Sequence, residues 1–186
     1  GLFFRTAPSD TRQGELLAKV LIDRGIKTVA VTYTNNDYGK GFADAFDAAY
    51  KAAGGTVTLV APHDDGKADY SAEVSALSVA GGEVLVVLGY SDQGGNGIIR
   101  ASLDAGAFDT FAVGDGMHSE KLMSDFGPDL HIFGTVPWTE GDGAEKFAAF
   151  AKAAGKNPDS SFVRESYDAA ALILLAIQKA GDPAKA

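Results

Sequence analysis

Short β-branched runs alternate with amphipathic helical stretches along most of the chain, and that alternation narrows the fold more than any other feature. Strands are expected at Lys27–Tyr33, Thr56–Val60, Glu83–Leu88, Thr110–Val113 and His131–Val136. Val84-Leu85-Val86-Val87 is apolar without interruption, the pattern of a strand buried on both faces. Helices are expected between them. Asp10–Arg24 starts at a Ser9 or Asp10 N-cap, turns Leu16, Leu17, Val20 and Leu21 to one face, and stops at Gly25. A polar loop, Thr34–Gly39, leads into a helix from about Lys40 to Ala53, ended by Gly54-Gly55. Pro62–Lys67 reads as a charged loop before a helix at Tyr70–Ala80, and Gly89–Asn96 as a loop before a helix at Gly97–Ala105. A short helix starts near Ser119.

Strand–helix–strand units with short connections give parallel strands and right-handed crossovers. The expected fold is therefore a three-layer α/β/α, doubly wound parallel sheet of Rossmann-like type. After Pro137-Trp138 the alternation ends. Two helices follow, about Ala144–Ala154 and Ser161–Ala180, with no strand between them. The second is more apolar over Ala169–Ala176 than one exposed helix requires, so its face is expected to be covered, on this chain or by dimerisation.

Composition excludes several functions. Of 186 residues, 46% are hydrophobic and 22% charged, as in a globular protein. A net charge of -9 disfavours nucleic acid and anionic membrane surfaces as partners. No cysteine is present, which removes disulfides, thiolate metal sites and cysteine nucleophiles. No apolar run is long enough to span a bilayer. The chain opens Gly1-Leu2-Phe3-Phe4 without a methionine and reads as an internal stretch, so a missing signal peptide says nothing about export.

In an open parallel sheet, ligands bind at the carboxyl ends of the strands, where the strand order reverses. With a 2-1-3-4 order, the loops at 34–39, 62–67, 89–95 and 114–119 form that edge. The first, third and fourth of these loops, at and beside the switch point, carry Asn35, Asn36, Asp37, Tyr38, Tyr90, Ser91, Asp92, Asp115 and His118. At the switch point this rim offers hydroxyls, amides and carboxylates but no lysine or arginine, a set suited to a neutral or cationic group. Each residue also has a plainer reading. Tyr38 and Tyr90 could simply cover loop ends, Asp115-Gly116 is a common turn pair, and Asp37 and Asp64-Asp65 could be solvated loop charges.

No enzymatic constellation assembles. Gly94-Gly95-Asn96-Gly97 lacks the later glycine of a dinucleotide loop and the lysine of a P-loop. The serines lack a nucleophile elbow. His63, His118 and His131 are far apart, without metal-ligand spacing, so no metal and no cofactor is expected.

Along nearly its whole length the sequence resembles the type I periplasmic solute-binding proteins of branched-chain amino-acid ABC transporters. The resemblance lies in Phe4-Arg5-Thr6-Ala7-Pro8-Ser9-Asp10 with Gln13-Gly14, and in Val29-Ala30-Val31 through Asn36-Asp37-Tyr38-Gly39-Lys40-Gly41. It continues through Asp69-Tyr70-Ser71, Gly89-Tyr90, Arg100 with Ala105-Gly106, and Tyr167-Asp168-Ala169 to Ala180-Gly181. Each motif is weak; their order and spacing make the match. In such proteins two lobes close on an amino acid, and the second lobe supplies tyrosines and an acid to the ligand ammonium. The resemblance implies that Tyr38 and Tyr90 are those tyrosines and Asp115 the acid, with Ser91 and Asp37 beside them. It further implies a hinge strand at 1–6, a second lobe at 7–136, and at 137–186 a crossover and two helices of the other lobe. It implies an extracytoplasmic protein of the Gram-negative periplasm, an amino-acid-like ligand and a membrane permease as partner. A sensory receptor domain for a small amide or amino acid is the alternative, and a small α/β enzyme a more distant one.

Overall fold

The computed structural model describes residues 3–181. They divide into two compact units: Ser9–Val136, which contains the sheet, and a helical unit made by the segments on either side of it.

In the sheet unit, five parallel strands stand in the order β2-β1-β3-β4-β5. They are β1 (Thr28–Thr34), β2 (Thr56–His63), β3 (Val84–Leu88), β4 (Thr110–Val113) and β5 (His131–Gly134). The helices are α1 (Asp10–Asp23), α2 (Asp37–Ala52), α3 (Ser71–Ala80), α4 (Asn96–Asp104) and α5 (Glu120–Phe126). The doubly wound α/β sandwich expected from the alternation is the observed fold.

Two cores lie on opposite faces of the sheet because successive strand residues point opposite ways. Val29, Val31, Val84 and Val86 pack against Leu17 and Leu21 of α1 and Phe42, Phe46 and Tyr50 of α2. Ala30, Leu85, Val87 and Phe111 pack against Val74 and Leu77 of α3 and Ile98 and Ile99 of α4. Every residue of β3 is buried, as its uninterrupted apolar run requires.

Several local expectations need correction. The buried face of α1 is Gly14, Leu17, Ala18 and Leu21, while Leu16 is exposed and Val20 only half-buried. A Cβ on Gly14 would lie 2.8 Å from the Phe46 backbone nitrogen, so the glycine is where α1 and α2 approach most closely. α2 begins at Asp37 rather than near Lys40, because the Asn36 side chain accepts the Gly39 N–H and caps it. β2 runs on through Pro62 to His63; as an edge strand it tolerates a proline. Residues 91–95 are a single π turn leading into α4, with the Gln93, Gly94 and Gly95 N–H groups all donating to the Tyr90 carbonyl.

The helical unit contains α6 (Asp142–Ala153) and α7 (Val163–Ala180). Phe147 and Phe150 pack on Tyr167, with ring centroids 5.1 and 5.8 Å apart. The Arg164 guanidinium lies 4.7 Å from the Trp138 ring centre and donates to the Thr139 carbonyl. Thr6 Oγ1 donates to the Glu165 carbonyl at 2.9 Å, which ties the first segment to α7. Residues 3–6 belong to no strand, and the rest of the hinge-strand expectation falls outside the described residues. No residue of α7 is buried, and Leu172, Ile173, Leu174 and Leu175 are 59% to 67% exposed.

Candidate functional site

β1, β3 and β4 end side by side, and the strand order reverses between β1 and β3. The residues just beyond those three ends build the site. Gly39 lets α2 start directly over the end of β1, since a Cβ there would sit 2.2 Å from the Thr34 carbonyl oxygen. That start places Tyr38 in the first turn of α2. Tyr90 follows β3 as the residue that opens the π turn, and Asp115 follows β4 in a single 3₁₀ turn, Asp115–Met117.

These three side chains converge. The Tyr38 and Tyr90 rings stack with centroids 5.2 Å apart and planes 28° off parallel. The Tyr38 hydroxyl donates to Asp115 Oδ1 at 3.2 Å. Phe42 supports Tyr38 edge-on at 6.0 Å. Gly116 is a packing requirement: a Cβ there would lie 2.4 Å from the Gly89 carbonyl oxygen and 3.2 Å from the Tyr38 hydroxyl.

The electrostatics suit a cation. Asp115 is only 4% exposed. Burial pushes its pKa above the usual carboxylate range, against the opposing pull of the Gln13 side chain, its own backbone N–H and the Tyr38 hydroxyl; Asp10 adds a like charge. The groups acting most strongly on it include no lysine or arginine. Tyr38 is raised far above a free phenol, first by burial and then by the Asp115 charge, so it stays a neutral donor. Tyr90 is raised by burial too.

Ser91 and Asp37 have other engagements. The buried Ser91 hydroxyl lies 2.6 Å from that of Ser119, which in turn accepts the Leu122 N–H as N-cap of α5. Asp37 is exposed in the first turn of α2, where a negative charge favours the helix dipole. His118 is exposed.

Sequence reasoning missed two parts of this edge. Gln13, one turn into α1, donates from Nε2 to the Thr135 carbonyl at 2.7 Å. Its link to a residue 122 positions away left no local signal. The second part lies at the end of β2. His63 is buried and its Nδ1 lies 2.9 Å from Thr32 Oγ1, while Thr34 Oγ1 donates to Asp65. Asp65 is thus a half-buried, hydrogen-bonded carboxylate rather than a solvated one. Burial lowers the His63 pKa against the attraction of Asp65, Glu73 and Asp64, which keeps the ring neutral. The described residues hold no His, Cys, Asp and Glu group able to take a metal, and none of their helices is long and apolar enough to cross a membrane.

The profile of the periplasmic binding protein family matches residues 1–186, the whole chain. The chain belongs to the periplasmic binding protein family. Members of this family are binding proteins and not enzymes, which sets the enzyme reading aside. Among curated relatives, Leu/Ile/Val-binding protein homolog 3 of Brucella melitensis is 33% identical, over 96% of this chain and 49% of its own. The leucine-, isoleucine-, valine-, threonine-, and alanine-binding protein of Pseudomonas aeruginosa is 30% identical, over 99% of this chain and 51% of its own. The chain spans about half the length of the curated relatives it matches. Among solved structures, a leucine binding protein of Thermotoga maritima superposes with a TM-score of 0.81 at 24% identity, over 96% of this chain and 52% of its own. That likeness establishes the type I periplasmic-binding fold of the chain.

Proposed function

We propose that this chain is the greater part of the ligand-binding second lobe of an extracytoplasmic solute-binding protein, which delivers an amino acid to the permease of an ABC transporter. The observation that carries the reading is the convergence of Tyr38, Tyr90 and Asp115 at the switch point, with a buried carboxylate that has no ion-pair partner among the described residues. A ligand ammonium supplies that partner through a charge-assisted hydrogen bond. The stacked tyrosines add contact area with few rotatable bonds to order. Relatives named for binding leucine, isoleucine and valine point to a branched-chain or related amino acid. Membership of a periplasmic binding protein family supports an extracytoplasmic location, in the periplasm of a Gram-negative bacterium on this reading.

In this reading Ser9–Val136 forms the second lobe, and residues from Pro137 onward return to the other lobe, whose remainder covers the apolar face of α7. Without that remainder the face pairs two copies of the chain, and light scattering of the 186-residue chain then gives a dimer; a monomer overturns the pairing. The function is tested on the full-length protein by thermal shift against the twenty amino acids. A rise in melting temperature with a branched-chain amino acid supports the reading. No shift with any amino acid contradicts it.

A further inference from the structure

We propose that Met117 is a positioning residue for the ligand acid: its thioether, seated on Gly95, locks the turn that carries Asp115 onto the turn that carries Tyr90. The inference deepens the proposed function and rests on Asp115 being the ammonium-binding group.

The sheet stops short of the site. The last residues paired between β3 and β4 are Val87 and Val113, so the ladder joining these strands does not reach Tyr90 or Asp115. The Asp115–Met117 turn is also too short to hold itself. Its backbone bonds run from the Met117 N–H to the Gly114 carbonyl at 3.2 Å and from the His118 N–H to the Asp115 carbonyl at 2.9 Å. Bonds of this 3₁₀ type have poorer geometry than those of an α-helix. Where the Asp115 carboxylate stands therefore depends on what the turn packs against.

Met117 supplies that packing. It is fully buried and belongs to the core on the α3–α4 side of the sheet, with Ile98 and Phe111. Tyr38, which donates to Asp115, packs against the opposite core, so the turn is held from both faces of the sheet at once. A Cβ on Gly95 would lie 2.2 Å from the Met117 sulfur and 2.7 Å from its methyl carbon. Met117 thus covers the backbone whose amides donate to the Tyr90 carbonyl. A flexible, unbranched thioether is suited to filling the gap between two irregular turns. Further contacts join the same two turns, because the Ser91 and Ser119 hydroxyls lie 2.6 Å apart. Gly116, the one residue between Asp115 and Met117, is pressed against the Gly89 carbonyl and cannot absorb a movement of the anchor. A displaced Met117 therefore displaces the acid.

The test uses the full-length protein with Met117→Ala, which removes the anchor, and Met117→Leu, which keeps its volume. Leu77→Ala is the control, since Leu77 is a fully buried residue of the same core on α3, away from both turns. L-Leucine binding is measured by calorimetry on protein shown to be folded by circular dichroism. Met117→Ala is expected to weaken binding about 10-fold, and Met117→Leu to stay within about threefold of wild type. Leu77→Ala is expected to lower the urea midpoint while keeping wild-type affinity, which separates positioning from loss of packing alone. Wild-type affinity in Met117→Ala, or an equal loss in Leu77→Ala, overturns the inference. If Met117→Ala does not fold, Met117→Val is read by the same criteria. In a ligand-free crystal structure of the truncated variant, the Asp115 carboxylate is expected to stand beyond hydrogen-bond reach of the Tyr38 hydroxyl. An unmoved carboxylate also overturns the inference. If the carboxylate moves but the wild type binds no amino acid, the role of Met117 stands and the ligand reading fails.

Discussion

Replacing Asp115 with asparagine in the full-length protein removes the charge and little else, since the two side chains share a shape. The Tyr38 hydroxyl, 3.2 Å from Oδ1, can still donate to the amide oxygen. What disappears is the single buried negative charge at the tyrosine pair, and Asp115 is only 4% exposed. No lysine or arginine is among the groups acting most strongly on it, so the proposed ligand ammonium would be its cationic partner. A hydrogen bond between charged groups contributes about 1.5–3 kcal/mol, so Asp115→Asn is expected to weaken L-leucine binding by about 10- to 150-fold. Calorimetry at pH 7 measures this directly, with circular dichroism as the check on folding. A change smaller than about threefold, or under roughly 0.7 kcal/mol, refutes the reasoning. The same substitution has a pH signature. The folded-state pKa of Asp115 is raised, so the native state holds its proton more tightly than the unfolded chain. The stability this contributes is complete below the unfolded value of about 3.9 and is lost as pH rises through the folded value. Urea midpoints of wild type relative to Asp115→Asn are therefore highest at acid pH and fall as pH increases through that window.

Phe46→Ala removes a fully buried ring stacked on Tyr50 at 5.3 Å and is expected to cost about 3–5 kcal/mol in urea unfolding; a cost under about 1 kcal/mol contradicts the core described here. Gly116→Ala forces a Cβ to within 2.4 Å of the Gly89 carbonyl oxygen, which belongs to backbone and cannot swing aside. A destabilisation of about 1–3 kcal/mol is expected, together with loss of the near-parallel tyrosine stack in a crystal structure; unchanged urea stability counts against it. Tyr38→Phe deletes one donor to Asp115, and binding is expected to weaken about 2- to 12-fold. Because that donor favours the anion, binding in this variant should also fail at higher pH than in wild type, and an unaltered pH profile contradicts the contact.

The sheet was legible because its strands obey simple rules. Val84–Leu88 is apolar throughout and buried throughout, and the 2-1-3-4 order expected of a doubly wound sheet is the one observed. Errors gathered where a contact distant in sequence overrides a local preference. Leu16 looks like a core residue, yet the approach of α1 to Phe46 turns Gly14 inward and leaves Leu16 exposed. Thr34–Gly39 reads as loop by composition, but Asn36 is a cap and Asp37 already helical. The glycines after Tyr90 read as a loop. They are there because Cβ atoms at Gly94 and Gly95 would strike Asp65 and Met117, a crowding that sequence does not display. Of the site, Tyr38, Tyr90 and Asp115 were visible because each follows a strand end. Gln13 and His63 were not, since their roles depend on Thr135, Thr32 and residues of other elements.

The central claim is that Tyr38, Tyr90 and Asp115 hold the ammonium of an amino acid. A crystal structure of the full-length protein with L-leucine bound tests it most directly. The account predicts the ligand nitrogen within hydrogen-bond distance of an Asp115 carboxylate oxygen, at the edge formed by the Tyr38 and Tyr90 pair. A ligand whose ammonium is held elsewhere, with Asp115 still accepting from Tyr38, would contradict it.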